Sequence, residues 1–310
     1  MRYYAPGVRY YDVVVKCVGD EMLLRPDAET CIVIALALAA ATGRFSAVRL
    51  LAFCFVSNHF HLVLRVDTDE DAMNVSAFMK ALDEVIAMRL NDLRGRRGHF
   101  FAGKPSITPI LDEAHVLAKM LYAHAQPVHH GLVARVEQWL GLSSFRAVVE
   151  GKSSVELAIF DEKKWREAGA RKAEREAFTT KVSIPLARPI AWDQLSTPNV
   201  RAVRRAHEAS VREREREKEA ERKSEGQKAP PKGAHYETID PFSRPVKPSK
   251  RTPKPVAHGD AEAVAKYREA YCLVRAAHRR ASAQFRRTGV LCPFPAGTFP
   301  PWIERAMVTT

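Results

Sequence analysis

The chain has little that would tie it to a membrane or to an oxidising compartment. Its 310 residues hold no apolar run near the about 18 residues that a membrane span needs; Cys31 to Ala41 falls short and reads as a buried helix. The five cysteines (Cys17, Cys31, Cys54, Cys272 and Cys292) are odd in number, widely spaced and without a Cys-x-x-Cys pair. Such a set argues against structural disulfides and a thiolate zinc site, so they read as small buried hydrophobes in a reducing cytoplasm. Met1 to Asp12 is polar and aromatic, not a charged start followed by an apolar stretch, so no signal peptide is expected. No internal repeat is visible. Acidic residues are in short supply: 36 Asp and Glu against 49 Lys and Arg leave a formal charge of +13. That balance says nothing about fold but favours a polyanionic partner, nucleic acid ahead of an anionic membrane surface.

What is present is enough for one good core, or a core with an appendage. Tyr10 to Val18 is β-branched and aromatic and reads as a strand. Asp27 to Thr42 is alanine-rich and stops before Gly43, as a helix does. Val48 to Val56, the turn Ser57-Asn58 and His59 to Val66 read as a hairpin. Asn74 to Leu93 carries Val75, Phe78, Met79, Leu82, Ile86 and Leu90 at helical spacing. After a basic loop, Arg94 to Lys104, the short segment Ile107 to Leu111 reads as a fourth strand. Asp112 then caps a helix running to about Gln126, where Pro127 would limit it. The order is that of an α+β, ferredoxin-like split βαβ sheet with an added helix.

Composition changes near residue 150. The expected organisation is a compact α+β domain over 1–150, a charged helical extension over 151–222, a Pro/Lys-rich and disordered linker over 223–258, and a helix with a proline-rich tail over 259–310. Within the extension, Arg201 to Arg222 alternates Glu and Arg, which reads as a solvated, salt-bridged helix. Lys228 to Lys254 reads as an arm adding nonspecific phosphate contacts. Ala261 to Arg287 is expected to pack back on the core through Tyr267, Tyr271, Leu273, Val274 and Phe285.

Two features carry chemistry. Residues two apart on a strand share a face, so His59 and His61 project together while Phe60, Leu62 and Leu64 point the other way. Paired neutral imidazoles make a divalent-metal half-site. Tyr122 and Gln126, four apart on a helix, also share a face, and the glutamine oxygen would serve as a third, hard ligand. Taken singly, each has a bland explanation: a chance His-x-His, a rim aromatic, a polar residue at a helix end.

The combination resembles the single-strand transposases of the HUH superfamily, and within it the REP-associated tyrosine transposases. The likeness runs through Gly7-Val8-Arg9-Tyr10, Ser57 to Leu64, Gly95 to Lys104, Tyr122 to Pro127 and His130-Gly131-Leu132-Val133, covering about residues 1–150. It departs from the family in Ser57, where relatives carry proline, in Tyr11-Asp12, where they often have Tyr-His, and in Gln126, where the REP-associated group generally has asparagine. The resemblance implies that His59, His61 and Gln126 hold Mg²⁺ or Mn²⁺ against a scissile phosphate. Tyr122 would then attack phosphorus, leaving a 5′-phosphotyrosine and a free 3′-hydroxyl. The implied partner is single-stranded or hairpin DNA, with the chain a monomer or homodimer. Arg94, Arg96, Arg97, His99 and Lys104, interleaved with Phe100 and Phe101, fit strand contact by cations and a stacked ring.

Two other classes stay open at this point. A DNA-binding relic that keeps the fold without the reaction would need none of the four residues. A zinc hydrolase built on His59 and His61 would want a further histidine or carboxylate ligand at a defensible spacing. His99, His115, His124, His129 and His130 show no such spacing, and His124 faces away from Tyr122 and Gln126. Asn58 makes the turn and could also orient a neighbouring imidazole.

Overall fold

A computed structural model describes residues 2–160, 162–169, 171–245 and 256–300. Its centre is a four-stranded antiparallel sheet of β1 (Tyr10–Lys16), β2 (Val48–Val56), β3 (His59–Val66) and β4 (Ser106–Ile110), in the order β2-β3-β1-β4. Helix α1 (Ala28–Arg44) connects β1 to β2, and α2 (Asp69–Leu93) connects β3 to β4. Both helices start where a short polar side chain takes one of the first orphan N–H groups. Asp27 accepts from Thr30 N, Thr68 from Asp71 N, and Asp112 from His115 N at the head of α3 (Glu113–His124).

The period-two pattern of the strands divides the core. Tyr11, Val13, Val15, Phe53, Phe55, Phe60, Leu62 and Leu64 are buried with the apolar stripes of α1 and α2. Phe55 and Phe60 stack at 4.5 Å between centroids. Burying each such side chain is worth about 1.5–3 kcal/mol. On the opposite face Tyr10, Ala52, Val63 and Ile110 meet Val116, Met120 and Ala123 of α3. A register shift between Leu50 and Ala52 places both Leu50 and Phe53 in the first of these clusters. Helix α3 therefore lies on the face that carries the odd-numbered residues of β3.

Pro127 does not end this region. After Ala125 the chain begins a further turn, α4 (Gln126–His129), with the proline in its first positions, where its missing N–H has no cost. The short α5 (Phe145–Glu150) follows.

Beyond residue 150 the arrangement differs from a purely helical extension. Strands β5 (Ser154–Phe160) and β6 (Thr179–Pro185) form a two-stranded antiparallel sheet, with α6 (Glu162–Glu167) between them. Val182 and Ile184 are buried in the main core. Alternation of Val155, Leu157 and Ile159, and of Val182 and Ile184, is a strand signal that the surrounding charges obscured. Next come α7 (Ile190–Asp193) and the long α8 (Thr197–Ser224). Helix α8 buries Val200, His207, Val211 and Glu215 along one side, while Arg214–Glu217, Lys218–Glu221 and Lys223–Glu219 pair on its surface.

The stretch expected as a linker is tied down over 226–245. Met22 N donates to Ser243 O, Arg25 to Ile239 O, and Arg244 pairs with Glu21. Residues 246–255, the remainder of the basic arm, and the tail beyond Pro300 lie outside the described residues. His258 extends the sheet by a parallel bridge to Ile110, and α9 (Ala261–Thr288) lays Tyr267 and Tyr271 against Tyr3. Of the residues expected to dock α9, Leu273 instead faces solvent. Among the described residues, no helix is long and apolar enough to cross a membrane.

Candidate active site

Antiparallel pairing sets His59 opposite Lys16 and Val56, and His61 opposite Val14 and Cys54, with β3 running between β1 and β2. Both imidazoles are buried, with ring centroids 5.2 Å apart. Helix α3 carries Tyr122 to within 5.4 Å of the His61 ring, and α4 begins with Gln126, wholly buried beside His59. The structure thus brings together the four residues singled out in the sequence. Tyr122 is 41% exposed, so its ring stands at the mouth of the site and not in the core.

The hydrogen bonds fix which atoms face inward. Asn58 Nδ2 donates to Asp20 O, leaving its Oδ1 to accept from His59 Nδ1 at 2.7 Å. That bond puts the single proton of a neutral His59 on Nδ1 and leaves Nε2 bare. The ring is neutral because burial, reinforced by His61, pushes its pKa down to about 3. Gln126 Nε2 donates to Tyr122 O at 3.1 Å, which turns Oε1 towards His59. Two lone pairs, His59 Nε2 and Gln126 Oε1, therefore face each other at 3.2 Å. His61, lowered to about 4 by burial, adds a buried Nδ1 that has no hydrogen-bond partner. Acceptors turned on one another are what a cation would satisfy. These donors, imidazole nitrogen and amide oxygen with no thiolate, are of the kind a divalent cation takes. Among the described residues, no group of three His, Cys, Asp or Glu is placed to hold a metal.

Sequence reasoning missed His130. Its Nε2 lies 3.0 Å from Gln126 Oε1 and its ring 4.9 Å from that of His59. Burial of the ring and the neighbouring His59 lower its pKa, although solvent reaches the residue. His130 stands four residues after Gln126, the same spacing that linked Gln126 to Tyr122; reading Pro127 as a helix end concealed it. The His129 ring centre lies 5.7 Å from that of Tyr122. Asp12 and Lys119 were also unforeseen. Burial opposes ionisation of Asp12, but the His258 hydrogen bond and Lys119, 3.3 Å away, outweigh it and hold the carboxyl below its usual range. The Lys119 ammonium lies 5.2 Å from the Tyr122 ring centre.

The basic loop divides. Arg94, with a side chain only 4% exposed, donates to Leu23 O and Thr30 Oγ1 and faces Asp27. Arg96 is bound to Asn91, His99 O and Glu21. The phosphate contacts expected of these two are not available, because the fold already uses their guanidinium groups. Arg97, His99 and Lys104 are exposed, Phe100 is buried in the core, and Phe101 is half-buried against Phe60.

No family model matches the chain, and no curated protein matches it. Among solved structures, the chain is similar to one described as "Structure of the REP associates tyrosine transposase bound to a REP hairpin". The match has 18% sequence identity and a TM-score of 0.40, and covers 48% of this chain and 84% of that one. A likeness that distant carries no functional argument for this chain.

Proposed function

We propose that the protein is a metal-dependent enzyme that nicks and rejoins single-stranded or hairpin DNA through Tyr122, an HUH-type tyrosine transposase. The observation that carries this reading is the pair of opposed lone pairs, His59 Nε2 and Gln126 Oε1, directly beside an exposed tyrosine. The sheet order and the single connecting helices α1 and α2 support a ferredoxin-like split βαβ scaffold for it. His59, His61 and Gln126 would hold Mg²⁺ or Mn²⁺. Such an ion, when bound, offsets charge on a non-bridging phosphate oxygen.

The protein's own residues supply the rest. The Tyr122 oxygen gives up its phenolic proton and attacks phosphorus, the bond to the 3′-oxygen breaks, and that oxygen takes up one proton to leave as a hydroxyl, so the step neither gains nor loses a proton overall. The strand remains joined to Tyr122 through its 5′-phosphate, so the hydroxyl of another strand can reverse the step. Lys119 brings positive charge to the ring's neighbourhood. Asn58 holds the His59 tautomer, and Gln126 ties its own amide to the helix turn that carries Tyr122.

The test is a denaturing gel of labelled single-stranded hairpin DNA incubated with wild type or Tyr122→Phe in Mg²⁺ or Mn²⁺. A heat-stable protein–DNA adduct that requires metal and is lost in Tyr122→Phe is expected. An adduct that persists in Tyr122→Phe would move the chemistry elsewhere. No adduct on any hairpin would leave a DNA-binding protein without the reaction.

A further inference from the structure

A second concave site lies away from Tyr122. A cavity of about 440 Å³ opens between the β2–β3 side of the sheet, the end of α5, residues 186–193 and the start of α8. Arg49, Arg65, Lys152, Arg188 and Arg204 line it, with Trp192 forming an apolar wall that is itself buried. The Asp193 carboxylate in the lining is held between Arg65 and Arg188. Arg49 is paired with Asp67 and Lys152 with Glu150. Arg204 has neither a hydrogen bond nor an ion pair among the described residues, and its Nε is buried without a partner.

Leaving a guanidinium half-buried and unpaired among like charges is unfavourable unless an anion completes it. The chain makes room for this group. Gly151 closes α5 in the left-handed region at φ +73°, and a Cβ there would fall 1.2 Å from Arg204 Nη1. Thr197, the first residue of the 28-residue α8, also lines the cavity, and the Ser196 side chain caps no N–H group. The positive end of that helix therefore reinforces the arginines.

We infer that this cavity binds the phosphate of a nucleotide, with Arg204 and Arg188 gripping the anion and Trp192 walling the space beside it. Arginine forks suit phosphate geometry, and the cavity exceeds what inorganic phosphate alone would fill. The phosphate could belong to a free nucleotide or to a DNA strand. The inference does not rest on the reading of Tyr122, since the two sites share no residue.

The full chain is titrated calorimetrically at low salt with inorganic phosphate and with dTMP, and by fluorescence anisotropy with a labelled twelve-residue oligothymidylate. Wild type is compared with Arg204→Gln and Arg188→Gln. Arg204 bonds to nothing among the described residues, and Arg188 is half-exposed on the cavity rim, so both variants should melt with the wild type; should Arg204→Gln not fold, Arg188→Gln carries the comparison. The expected result is dTMP binding that weakens roughly tenfold in each variant. If a strand is the source of the phosphate, the oligonucleotide also binds less tightly and its log–log salt slope falls by about 0.7 for each phosphate no longer neutralised. Weakening confined to dTMP assigns a free nucleotide. Undetectable dTMP binding, or equal affinities in all three proteins, overturns the inference. The hairpin adduct assay runs in parallel, so failure of the Tyr122 reading leaves this result standing and the reverse.

Discussion

Replacing His207 by leucine tests how the C-terminal half holds the helix that carries Tyr122. His207 on α8 lies 2.9 Å from His124 Nδ1 on α3, and His124 Nε2 lies 2.8 Å from Ser144 Oγ. Ser144 in turn bonds the backbone of Phe53 in β2. Both rings are neutral: burial lowers His207 to about 4 and holds His124 well below its ordinary value. One proton then serves each contact, and the chain runs unbroken from α8 to the sheet. Leucine nearly fills the same volume but leaves His124 Nδ1, wholly buried, without a partner. The cost expected is about 1–3 kcal/mol at pH 7.5, measured by urea unfolding. Acidity supplies a second readout. The folded pKa of His207 lies below the unfolded value near 6.5, so its unfolded form takes up a proton that the folded form refuses. Its contribution is intact above pH 6.5 and is lost as pH falls towards 4, the loss being on the order of 1 kcal/mol at pH 5.5. The leucine variant is spared that loss, so its deficit against wild type should narrow by on the order of 1 kcal/mol between pH 7.5 and 5.5. A variant as stable as wild type at pH 7.5, or a deficit independent of pH, would refute this account.

Asn58→Ala removes the acceptor that keeps the His59 proton on Nδ1. The Mn²⁺ concentration needed to raise the melting temperature should increase about 10- to 100-fold, and an unchanged requirement would sink the tautomer argument. Gly151→Ala places a Cβ in the left-handed region and against Arg204, so it should destabilise by about 1–2 kcal/mol and weaken dTMP binding, whereas melting with the wild type would show that the backbone relaxes there.

The central sheet was legible because its signals are local. Val48–Val56 and His59–Val66 stand where β-branched and aromatic runs flank the Ser57-Asn58 turn, and Asp27 and Asp112 mark helix starts by the bonds they make. The approach of His59 and His61 to Tyr122 and Gln126 follows from two periods, two on a strand and four on a helix. The single further fact needed is that α3 crosses the histidine face. His130 obeys the same helical period and was lost to one assumption, that proline stops a helix, when it is tolerated in the first turn.

The harder failures concern charge. Arg94 and Arg96 stand in a run that looks like a phosphate track, yet Leu23 O, Thr30 and Glu21 take up their guanidinium groups. Arg204 stands in a run of alternating charge that looks self-neutralised, yet it is left without a partner among the described residues. A sequence gives the sign and number of charges along the chain but not the acceptors that tertiary folding brings to them. A guanidinium already holding a buried carbonyl would have to leave that carbonyl unsatisfied before turning to a ligand, whereas an unpaired one loses nothing. Anion recognition in this fold is therefore expected to follow Arg204, unpaired among the described residues, with Arg188, whose ion pair with Asp193 is half-exposed, and not the densest run of arginine in the sequence.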